Sequence, residues 1–143
     1  MAIRRGDPFL KQLKKVPLFA ALSQKDLKLV SKRGSDLEVP AGKVLVEQGA
    51  AGAEFFVIVS GTAKVTRRGK KVATIGAGDY FGDLALLDKA PRNATVVAET
   101  PMEVVVLPQR EFAGLIEDVP GFARKLLAGM ARRLREADAK SVQ

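Results

Sequence analysis

Two periodicities divide the chain. Between residues 9 and 33 the apolar positions Phe9, Leu10, Leu13, Leu22, Leu27 and Val30 recur at helical spacing. Val16-Pro17-Leu18-Phe19 interrupts them as a break with a hydrophobic anchor. Ser23 predicts an N-cap for a helix over Gln24 to Lys32, and Gly34 its stop. From Asp36 the period falls to two. Leu37, Val39, Val44 and Val46 alternate with polar residues around the turn Pro40-Ala41-Gly42, and Glu47 to Ala53 reads as another turn. Phe55-Phe56-Val57-Ile58-Val59 is a continuous apolar run, predicted as a buried strand that ends at Ser60-Gly61. Ala63 and Val65 alternate with Thr62, Lys64 and Thr66 before a charged hairpin tip, Arg67-Arg68-Gly69-Lys70-Lys71, and a strand over Val72 to Ile75. Gly76, Gly78 and Asp79 mark a further turn. Strands over Thr95 to Glu99 and Glu103 to Leu107 flank a Thr100-Pro101 turn.

Helical spacing then returns. Gln109 to Ile116 predicts a short helix carrying Phe112, Leu115 and Ile116. Pro120 opens a longer one, on which Phe122, Leu126, Met130, Leu134 and Ala137 form a stripe widened by Leu127 and Ala131. The pattern gives a single domain of mixed α+β class, mainly β. Helices over 1–35 and 109–143 flank an antiparallel β-barrel or jelly roll over 36–108. No linker, repeat or second domain interrupts it.

Composition narrows the chemistry. The 143 residues are 47% hydrophobic, enough for one core. Cysteine and histidine are both absent, which removes disulfides, thiolate and histidine catalysis and ordinary zinc sites. No apolar run reaches the ~20 residues of a membrane span, and no apolar region follows the basic start, so a cytoplasmic, non-membrane protein is expected. The net charge of +8 is uneven. Residues 1–36 hold nine Lys/Arg against three Asp/Glu, residues 37–121 nine against eleven, and residues 122–143 six against two. The basic excess lies on the helical ends. Solvated amphipathic faces explain it, and a contact with nucleic acid, an acidic partner or a membrane surface is the alternative.

One segment remains, Phe81 to Thr95. It places a carboxylate, Asp83, and a guanidinium, Arg92, at two ends of a short run with helical character. A helix start offers unpaired N–H groups and partial positive charge to an anion. Arg92 adds a planar fork suited to phosphate oxygens, and Asp83 accepts hydrogen bonds from sugar hydroxyls. Such a segment suits a ligand that joins phosphate to ribose. Asp83 also suits a simple helix N-cap, and Arg92 a surface pair with Asp88 or Glu99.

Phe81-Gly82-Asp83-Leu84-Ala85-Leu86-Leu87, with Pro91-Arg92-Asn93-Ala94-Thr95-Val96 at matching spacing, resembles the phosphate-binding cassette of cyclic nucleotide-binding domains. These are the modules of protein kinase A regulatory subunits, catabolite activator protein and cyclic nucleotide-gated channels. Val44 to Gly49, Phe55 to Gly61 and Val16 to Phe19 match the family's early strand, turn and helical entry, so the likeness spans nearly the whole chain. The resemblance implies that Arg92 pairs with the exocyclic phosphate oxygens and that main-chain N–H groups around Ala85 and Asn93 complete the anion site. It also implies that Asp83, with main chain at Gly82, holds the ribose 2′-OH. Leu84 and Ala94 belong to the same binding segment.

The family's usual residue at the place of Asp83 is Glu, one methylene longer. At the place of Asn93 its cAMP sites tend to carry Ala and its cGMP sites Thr. The ligand implied is cAMP, with cGMP as the other candidate, and no metal or further cofactor. The terminal helix is implied to close over the base, with Arg132, Arg133 and Arg135 as candidate lids, and to serve as a dimer seam. The expected protein is a non-enzymatic sensor. It lacks the DNA-binding domain of the activators and signals through an effector protein or a homodimer formed by the C-terminal helix. The alternative is an interaction module that keeps the fold without the ligand.

Overall fold

The change of period at residue 36 becomes a change of layer. The structure, a computed structural model, describes residues 7–82 and 91–141. Helices α1 (Asp7–Lys14) and α2 (Gln24–Arg33) precede eight strands: β1 (Ser35–Val39), β2 (Val44–Val46), β3 (Glu54–Ser60), β4 (Thr62–Arg67), β5 (Lys70–Gly76), β6 (Tyr80–Phe81), β7 (Thr95–Ala98) and β8 (Met102–Pro108). Helices α3 (Gln109–Asp118) and α4 (Pro120–Ser141) follow. The strands form two four-stranded antiparallel sheets in the orders β1-β8-β3-β6 and β2-β7-β4-β5. This is jelly-roll order. Of the two expected forms, barrel and jelly roll, the chain takes the jelly roll, with two packed sheets rather than a closed ring.

Two apolar clusters hold it together. Phe56, Ile58, Val96, Val104 and Val106 lie between the sheets. On the other face of the first sheet, Phe55, Val57, Val105 and Leu107 pack against Phe9, Phe19, Leu27, Phe112 and Phe122 of the helical layer. Phe55 stacks on Phe112 with ring centroids 4.6 Å apart and meets Phe122 edge-on at 6.2 Å. The unbroken apolar run Phe55 to Ile58 is thus explained: successive residues serve opposite cores.

The local signals act as their chemistry requires. The Ser23 side chain accepts from the Asp26 N–H at 3.1 Å, capping α2. At its other end the Gly34 N–H donates to the Val30 carbonyl. Gly34 is extended (φ −94°, ψ 165°), not left-handed. Its missing Cβ is needed for space, because one would lie 2.9 Å from Val105 Cγ1. The hairpin tip turns on Arg68 and Gly69, both at positive φ, which suits a two-residue connection. Helix α4 is buried at Phe122 and Leu126, but Leu127 and Leu134 are 64% and 65% exposed. Its apolar stripe is used by this chain only in its first half. Among the described residues no helix is long and apolar enough to cross a membrane.

Candidate functional site

Arg92 is positioned from its main chain outward. Its N–H donates to the Ala50 carbonyl at 2.9 Å, its carbonyl accepts from Gly49 at 2.8 Å, and Pro91 bridges Ala51. This stitching fixes the approach to β7. The side chain then turns inward and is only 7% exposed. Nη1 donates to the Gly82 carbonyl at 3.1 Å and Nη2 to the Glu54 carbonyl at 2.7 Å. A buried guanidinium would be costly without such charge-assisted bonds. Glycine at 82 permits the arrangement. Its φ is +95°, and a Cβ there would lie 2.6 Å from Arg92 Nη1 and 2.7 Å from the Glu54 carbonyl oxygen.

Arg92 forms one wall of a cavity of about 200 Å³. Gly82, Asn93 and Ala94 share that wall, and Val46, Val65, Ile75, Phe81 and Val96 supply an apolar side. Arg67 and Arg133 also line it, and its described lining includes no carboxylate. Three arginines around an apolar slot favour an anionic ligand that also carries an apolar portion. Arg67 Nε donates to the Asn93 carbonyl at 3.1 Å, tying the hairpin to the same segment. Glu99, the other partner considered for Arg92, instead lies 3.5 Å from Lys71 Nζ. Asp88 is outside the described residues.

The terminal helix reaches this cavity through Tyr80. The Arg133 guanidinium carbon lies 5.1 Å from the Tyr80 ring centroid, a cation–π contact. One turn earlier, Gly129 gives the ring its space, since a Cβ there would overlap the Tyr80 hydroxyl. Of the three candidate lids, Arg133 therefore stands at the cavity. Arg132 lines a neighbouring hollow, and Arg135 is exposed and lines neither. Gly82, Arg92, Asn93 and Ala94 are brought together. Asp83, Leu84 and Ala85 lie outside the described residues. Among the described residues no group of three or more Asp or Glu side chains is placed to hold a metal ion.

A family model for the cyclic nucleotide-binding domain matches residues 36–119, which spans both sheets, the Arg92 segment and α3. The chain belongs to that family. Among relatives of this cyclic nucleotide-binding domain, a cAMP-dependent protein kinase regulatory subunit from Mycosarcoma maydis is 37% identical over 131 residues, 85% of this chain and 25% of the relative. The cyclic AMP receptor protein of Thermus thermophilus is 33% identical over 88% of this chain and 61% of its own length. The crystal structure of Thermus thermophilus catabolite activator protein superposes with a TM-score of 0.79 at 33% identity, covering 87% of this chain and 61% of that one. A protein kinase A regulatory domain bound to Sp-2Cl-cAMPS superposes with a TM-score of 0.76 at 25% identity, covering 92% of this chain and 90% of that one. The chain spans from about a quarter to three fifths of the length of these two curated relatives.

Sequence reasoning did not find Tyr80, Arg67 or the carbonyl of Glu54. Tyr80 is the chain's single tyrosine, beside a turn and the cassette, and that was the available signal. Part of the apolar wall was present in the alternating positions Val46 and Val65.

Proposed function

We propose that this cyclic nucleotide-binding domain is a sensor that prefers cAMP to cGMP and acts by binding, without catalysis. The supporting observation is the buried Arg92, aimed into an apolar cavity that Arg133 of α4 also lines. The cyclic phosphate meets Arg92 and the main chain around Asn93. The purine lies along Val65, Ile75 and Val96, and Arg133 covers it by exchanging the Tyr80 ring for the base. Asp83 serves the ribose 2′-OH, and Leu84 and Ala85 complete the binding segment.

Because α4 touches the cavity through Gly129, Tyr80 and Arg133, a nucleotide there favours one position of α4 over others. The effect is a population shift set by the difference in affinity. The exposed flank of α4, with Leu127 and Leu134, carries the signal to a second copy or an effector protein. A chain of the same fold is described as the regulatory subunit of a cAMP-independent protein kinase A from Trypanosoma brucei (TM-score 0.78, 21% identity), so fold alone does not fix the ligand. Calorimetric titration with cAMP and with cGMP decides. Saturable binding with cAMP the tighter is expected. Absence of heat with either nucleotide at millimolar concentration would leave the ligand-free interaction module.

A further inference from the structure

A second hollow of about 440 Å³ adjoins the first, and Tyr80 and Arg133 line both. Pro17 and Leu18 of the turn after α1 form one side, the β5–β6 turn another, and α4 the third. The helix contributes Lys125, Gly129, Arg132, Arg133 and Glu136, a spacing that keeps them on one face. Three cations thus face the space. Lys125 and Arg132 are exposed and make no ion pair or hydrogen bond among the described residues. The lining also holds the carboxylates Asp79 and Glu136, so it keeps one net positive charge. Asp79 accepts from the Gly76 N–H at 2.8 Å, and Glu136 forms no ion pair with either cation.

The geometry points to a second anion site in this hollow, taking a small molecule that carries a diphosphate group. Lys125 and Arg132 stand seven residues apart, ~10 Å along the helix axis, so one phosphate would not engage both at short range. Two linked phosphates bring a negative group towards each, and the Arg132 fork can take two oxygens of one. Pro17 and Leu18 give the remainder of the molecule an apolar wall. The site does not rest on the nucleotide reading, because neither Lys125 nor Arg132 lines the first cavity.

Inorganic pyrophosphate is the probe, titrated calorimetrically into the intact chain and two variants. Arg92→Ala, which removes the guanidinium of the first cavity, is expected to retain a pyrophosphate-binding step at Lys125 and Arg132. Lys125→Gln/Arg132→Gln is expected to bind about tenfold more weakly or worse, from the loss of two charged hydrogen-bond donors. Both replaced side chains are exposed, so the variant keeps the wild-type melting temperature. In the wild-type protein the amide resonances of Gly78 and Gly129 are expected to shift during the titration. Absence of binding to wild type, loss in Arg92→Ala with retention in the double variant, or shifts confined to residues around Arg92 would each overturn the site.

Discussion

The two sheets are built from different sequences for different work. The sheet of β1, β8, β3 and β6 is covered on both faces, so β3 and β8 read as near-continuous apolar runs and Phe55, Val57, Val105 and Leu107 carry the helices. The sheet of β2, β7, β4 and β5 is covered on one face. Its strands alternate, and Val44 and Val72 are 42% and 51% exposed. The cavity lies on the side of this thinner layer, walled by Val46, Val65, Ile75 and Val96. Arg92 links the two. It lies three residues before β7, and its guanidinium is anchored to carbonyls beside β6 and at the head of β3. One sheet is a platform for the helices, and the other is the wall of a pocket.

That contrast can be broken at graded strength. Phe55→Ala removes a fully buried ring from the helix-facing core and is expected to lower the unfolding free energy by ~3–5 kcal/mol in denaturant titration. Gly82→Ala strikes the link between the sheets, forcing a Cβ into Arg92 and the Glu54 carbonyl at positive φ. It is expected to cost ~1–3 kcal/mol and to weaken cyclic nucleotide binding. Ser23→Ala, on the helical side, is expected to cost ~1 kcal/mol while leaving nucleotide affinity unchanged. Val72→Ala on the outer face of the thin sheet is expected to shift stability by no more than ~0.5 kcal/mol. A loss at Val72 comparable with that at Phe55 would erase the distinction between the sheets.

How far these features were legible depends on the range of the interaction that sets them. Ser23 and the hairpin tip act within a few residues, so their chemistry was readable directly. The run Phe55 to Val59 announced a buried strand, and the reason for its unbroken character, two cores on opposite faces, was not yet visible. Gly34 was correctly a stop, but its cause is the approach of Val105 from a distant strand. Arg92 stood out by its motif, while its partners at Gly82 and Glu54 come from positions ten and thirty-eight residues away. Gly129 lies inside α4 and carries no local signal of its own. Its role as the space for Tyr80 exists only once α4 has docked. Similarly, the long apolar stripe of α4 gave no sign that Leu127 and Leu134 would stay exposed.

The central claim is that Arg92 is the phosphate-holding group of this domain. Calorimetric titration of cAMP into wild type, Arg92→Lys and Arg92→Ala tests it most directly, with circular dichroism confirming that each chain is folded. Removing the guanidinium deletes two charge-assisted bonds, and Arg92→Ala is expected to bind at least ~100-fold more weakly than wild type. Arg92→Lys, which keeps the charge and loses the fork, is expected to fall between them. Equal affinity for cAMP in wild type and a folded Arg92→Ala variant would contradict the account.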